Sequence, residues 1–102
     1  MNRRLELHEE FCGILGTRYA YFEPPENVKM KYPCIVYERA GFSKHNDNDR
    51  KYVGTPRYSV TVIDTDPDSM IYEEILDTFS TCSYDRSFTS ENLKHDVLTL
   101  YY

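Results

Sequence analysis

Asp64, Asp66 and Asp68 fall on alternate positions, the kind of spacing that gathers carboxylates round a divalent cation. A calcium loop of the EF-hand type also requires Gly at its sixth position and Glu at its twelfth. Counted from Asp64, those positions hold Ser69 and Ile75, so the pattern fails. Asp66 followed by Pro67 instead matches an N-cap with Pro at the first helical position. A two-carboxylate metal nuclease using Asp64 and Asp66 would need a distant Glu, and no Lys stands nearby in a supporting pattern. Cys82 and His95 would make a thiol nucleophile and its base if a hairpin brought them together; His8 and His45 are scattered elsewhere. Cys12, Cys34 and Cys82 show no CxxC spacing and are expected as buried, reduced thiols. There is no Gly-rich phosphate loop and no serine elbow. The expectation is a chain with no catalytic residue, no cofactor and no metal site.

A second constellation mixes cations and rings. Phe42, Lys44, His45, Arg50, Lys51 and Tyr52 surround Asp47 and Asp49. Basic and aromatic residues on one loop can hold single-stranded nucleic acid. The two Asp offset that charge and favour a solvated loop, one suited to ordering against a neighbouring subunit. Ten of the fifteen aromatic residues are Tyr and none is Trp. Tyr serves positions that are apolar on one side and wet on the other, as interfaces are, and it also favours strands.

The elements that must position these residues follow from periodicity. Leu7, Phe11, Ile14 and Leu15 form the stripe of an amphipathic helix over residues 3–15, stopped by Gly16. Arg18 to Phe22 reads as a short strand ended by Pro24-Pro25. Cys34 to Arg39 carries apolar groups on both faces, Cys34/Val36 and Ile35/Tyr37, and is expected to be central. The Asx-rich segment after Phe42 is a loop. In the next strand, reaching Asp64 from about Lys51 or Pro56, Tyr58, Val60 and Val62 share one face, and Gly54 and Pro56 are expected to break its start. A helix capped by Asp66 buries Ile71, Ile75 and Phe79, with Leu76 beside them, and ends near Ser80-Thr81. Two strands, Cys82–Thr89 and Leu93–Tyr101, form a hairpin round Ser90-Glu91-Asn92. The order is α-β-β-β-α-β-β. The fold class is α+β: a single sheet of about five strands, antiparallel or mixed, with two helices packed on one face, in one domain over residues 1–102.

Bulk properties narrow the function classes. A chain of 102 residues builds a small core. Seventeen acidic residues against twelve basic ones, a net charge of -5, argue against nucleic-acid binding as the main activity. No apolar run approaches the ~20 residues of a membrane span. Met1-Asn2-Arg3-Arg4 leads into Glu6, Glu9 and Glu10 instead of an apolar signal core, so the chain is expected to stay in the cytoplasm of the cell that makes it.

Several blocks carry a family likeness. Tyr21-Phe22-Glu23-Pro24-Pro25-Glu26, Lys31-Tyr32-Pro33-Cys34-Ile35-Val36-Tyr37, Tyr58 through Ser69, Cys82-Ser83-Tyr84-Asp85-Arg86 and Leu98-Thr99-Leu100-Tyr101-Tyr102 resemble small minor tail proteins of long-tailed bacteriophages. Among these the chain is most similar to tail terminators, the tail completion or head–tail joining proteins. The likeness spans nearly the whole chain and carries no catalytic motif. It implies a hexameric ring of identical subunits at the head-proximal end of the tail, made in the host bacterial cytoplasm and incorporated into the virion. The ring would stop polymerisation of the tail-tube protein and meet the head–tail connector, with DNA passing through without specific binding and no membrane involved.

A closed ring needs a heterologous contact, which open edge strands can supply. On exposure and composition the expected contact residues are Phe42, Lys44, Arg50 and Tyr52 from the loop and Thr99, Tyr101 and Tyr102 from the last strand. Asp47 and Asp49 are candidates to line the lumen. Three other readings remain: a head–tail connector adaptor or other minor tail protein, a small protein-binding module, and a small metal-dependent enzyme.

Overall fold

The computed structural model describes residues 3–43 and 55–102. The elements run α1 (Arg3–Leu15), β1 (Ala20–Phe22), β2 (Cys34–Ser43), β3 (Thr55–Asp64), α2 (Ile71–Thr78), β4 (Cys82–Ser90) and β5 (Leu93–Tyr101). This is the α-β-β-β-α-β-β order read from periodicity. The strands form one sheet in the order β1-β2-β3-β5-β4. β1 runs parallel to β2, while every other neighbouring pair is antiparallel. The sheet is therefore mixed; β2 is an interior strand, as expected, flanked by β1 and by β3.

The register explains the two faces. Ile35 lies opposite Val62 and Tyr37 opposite Val60; Val60 lies opposite Leu98 and Tyr58 opposite Leu100. Because side chains alternate, these residues project to one side, and there they meet Leu7, Phe11, Ile75 and Phe79 of the helical layer in a single cluster. The Phe11 ring stands edge-on to Tyr37 at 5.0 Å and to Phe79 at 5.9 Å between centroids. Burying such side chains contributes about 1.5–3 kcal/mol each. Both helices lie on this side, as expected, and among the described residues the opposite face carries no helix.

Local chemistry sets the element ends. Gly16 adopts φ +73° and donates its N–H to the Cys12 carbonyl at 2.9 Å, a left-handed stop that suits Gly. Glu91 and Asn92 both have positive φ, 54° and 65°, and join the Ser90–Leu93 pair as a two-residue hairpin turn.

Three expectations are corrected. α2 starts at Ile71, not at Pro67, because the Asp64 and Asp66 carboxylates each accept the backbone N–H two residues ahead, at 3.1 and 2.9 Å. These Asx turns hold the chain out of helical geometry. The helix then stops at Thr78, where Phe79 turns extended and directs its ring into the core. Finally, Thr55 and Pro56 belong to β3, opposite Ser43 and Phe42, and the irregularity falls on β2 between Arg39 and Gly41. Gly41, at φ +137°, lets the Arg57 guanidinium come to 3.4 Å of where a Cβ would stand, and Arg57 Nη2 donates to the Ala40 carbonyl at 2.8 Å.

Candidate functional site

The acidic triplet is accounted for by the backbone. Asp64 and Asp66 are occupied as turn acceptors, and among the described residues no group of three or more His, Cys, Asp and Glu is placed to hold a metal. Cys82 and His95 are not brought together. Cys82 lies opposite Leu100 and His95 opposite Phe88, so they stand at different ends of the hairpin, about 17 Å apart along β5 at strand rise. His95 instead stacks on the Phe88 ring, 4.6 Å between centroids and 12° from parallel. The thiols are poor nucleophiles where they sit. Burial, reinforced by the Asp64 charge, pushes Cys34 up to about 12; burial and then the Asp85 charge push Cys82 up to about 11. Burial also raises Cys12.

The interface candidates divide. Lys44, Arg50 and Tyr52, with Asp47 and Asp49, lie outside the described residues, as does the side chain of Phe42, whose backbone closes the β2–β3 pairing. Thr99, Tyr101 and Tyr102 are described and partly exposed, but the strand bearing them is no edge. β5 has β3 on one side and β4 on the other, so its backbone is paired within the chain. Thr99 Oγ1 donates to Asp85 at 2.6 Å. Tyr102 sets its ring edge-on against Phe79 at 5.7 Å, and the Arg3 guanidinium lies 4.3 Å from the same ring centre. These residues can meet a partner through exposed side-chain surface, not through strand addition.

The edges belong to β1 and β4. β1 is three residues long and is followed by Pro24-Pro25, a blunted edge. β4 is nine residues long, and every residue after Cys82 is exposed. It pairs with β5 alone, and among the described residues no strand lies along its outer side. Asp85 is the extra residue of a bulge in it. Phe88, 42% exposed, and Tyr84, 40% exposed, project to opposite faces of this strand. Of the two hairpin strands, the edge is β4 and not the C-terminal strand β5. The usable signal was the run Cys82-Ser83-Tyr84-Asp85-Arg86-Ser87-Phe88-Thr89-Ser90, which has no continuous apolar stripe on either face, as an edge strand can and an interior strand rarely does.

No family model matches the chain, and no curated protein or solved structure gives a significant match.

Two part-buried polar groupings hold the helical layer to the sheet. Asp96, 1% exposed, accepts the Tyr84 hydroxyl at 2.8 Å and pairs with Lys94 Nζ at 3.3 Å. Lys94 Nζ also donates to the Ser69 carbonyl at 3.2 Å, tying the entrance of α2 to β5. At the far side, the Tyr37 hydroxyl lies 2.7 Å from His8 Nδ1 and 3.5 Å from Arg4 Nη1, joining α1 to β2. What this arrangement offers chemically is a firmly held sheet with one long, open backbone ladder.

Proposed function

We propose that this chain is a structural assembly protein that forms a ring at the head-proximal end of a phage tail, where it ends tail-tube polymerisation and joins the tail to the head connector. The observation that carries an assembly role is β4, a nine-residue strand exposed from Ser83 to Ser90 along the sheet edge. Such an edge is a template for another chain. Its pairing with a different surface of a neighbouring copy would generate a heterologous contact able to close a ring, whereas β4 against β4 would stop at a dimer. The tail-end placement rests on the family likeness of the sequence blocks. The mechanism is steric: a ring seated on the last tube layer offers the next tube subunit no equivalent surface, and no bond is made or broken.

The test is genetic and visual. Phage carrying an inactivated copy of this gene should make tails of irregular, excess length under the electron microscope. Finished tails beside separate, filled heads would place the protein at the connector instead. Tails and heads joined as in the parent would exclude both positions.

A further inference from the structure

His8 lies on the sheet side of α1, facing Tyr37 of β2. The Tyr37 side chain is completely buried, and its hydroxyl is 2.7 Å from His8 Nδ1. Arg4, one helical turn earlier, brings Nη1 to 3.5 Å of the same oxygen and holds its guanidinium 4.4 Å from the centre of the Phe22 ring. A guanidinium can only donate. The Tyr37 oxygen accepts from Arg4 and can give its own proton to His8 Nδ1. In that arrangement His8 is the acceptor, a neutral imidazole with its proton on Nε2.

Protonating His8 would reverse the bond. Nδ1 would become a donor, the phenol oxygen would face two cations from adjacent turns of one helix, and the phenol proton would lose its acceptor in a buried place. The neighbours oppose protonation too. Burial lowers the His8 pKa from its ordinary 6.5, followed by the charges of Arg4 and Arg18, against a smaller upward pull from Glu9. Glu9 is itself engaged by Arg18 in a two-pronged pair at 2.9 and 2.8 Å. From the sheet, Arg39 lies 5.6 Å from the Phe22 ring centre, adding positive charge on that side, and the Glu23 carboxylate accepts the Arg39 backbone N–H at 3.1 Å.

We propose that Arg4, His8 and Tyr37 form a pH-released clip that fastens α1 to the sheet at neutral pH and lets the helix go in weak acid. A group whose pKa is depressed by folding contributes stability above its unfolded value, here 6.5, and loses it as the pH falls through the folded value. Release would uncover Leu7 and Phe11, both fully buried in the fastened state. The clip is internal to one chain and independent of any ring.

The test uses the full chain: an NMR titration of the His8 ring proton, beside thermal unfolding at about pH 7.5 and about pH 5.5. The variants are His8→Asn and Tyr37→Phe. Asn places an oxygen acceptor near the position of Nδ1 and does not titrate in this range. His8 is expected to titrate below 6.5, and the wild-type melting temperature to fall on acidification by on the order of 5 °C. His8→Asn should lose at least half of that fall, and Tyr37→Phe should move the His8 midpoint upward. A midpoint at or above 6.5, or an acid-induced fall in His8→Asn as steep as in the wild type, overturns the clip. Should His8→Asn fail to fold, the wild-type midpoint and its movement in Tyr37→Phe decide the matter.

Discussion

Asp96 is a carboxylate with 1% of its surface exposed, and a buried charge is tolerated only with partners. Among the described residues it has Tyr84 and Lys94. Lys94 is the more consequential, because it also reaches the Ser69 carbonyl and so fixes where the chain enters α2. Replacing it with an apolar side chain of similar length leaves the carboxylate buried without its countercharge. Lys94→Met should destabilise the fold by about 3 kcal/mol, read from urea unfolding followed by circular dichroism. A loss below about 1 kcal/mol would show that solvent, which reaches 21% of the Lys94 side chain, already supplies the compensation. This pair was invisible in the sequence. Lys94 and Asp96 alternate in an ordinary polar-looking stretch, and nothing local marks that Asp96 is buried or that Lys94 reaches the Ser69 carbonyl ahead of α2.

β4 decides whether the sheet can grow. Natural edge strands are often blunted by Lys, Pro or bulges; β4 has the bulge at Asp85 but neither Lys nor Pro. Ser83→Lys together with Phe88→Lys, both at exposed positions, places charge along the ladder without touching the core. Self-association measured by sedimentation velocity should weaken at least tenfold, while the unfolding free energy stays within about 0.5 kcal/mol of wild type. Unchanged association would remove β4 from the contact.

The elements themselves were largely legible. The 3.6-residue stripe of α1, the alternation of β3 and the hairpin of β4 and β5 are local patterns, and local patterns survive into the fold. What escaped was of two kinds. The delayed start of α2 turned on carboxylates that bond their own backbone in preference to capping a helix. The parallel β1–β2 pair and the interior position of β5 depend on which distant strands meet, and periodicity within a strand does not encode that. The same holds for the candidate site: Thr99, Tyr101 and Tyr102 are partly exposed, but the open ladder lies one strand further out, on β4.

The described residues form two layers: helices over one face of the sheet, the other face without a helix among them, and one long edge that no described strand pairs. A small protein of this shape has a ready means of joining copies of itself through that edge. Ring formation concentrates that capacity in one measurable quantity, the number of chains per particle. The most direct measurement is native mass spectrometry of the purified protein across a concentration series, with negative-stain images of the same samples and of samples mixed with isolated tail tubes. The account predicts closed rings, six chains to a ring with a central hole, free in solution or seated at tube ends. A particle of one chain at every concentration, with bare tube ends in the mixture, would contradict it.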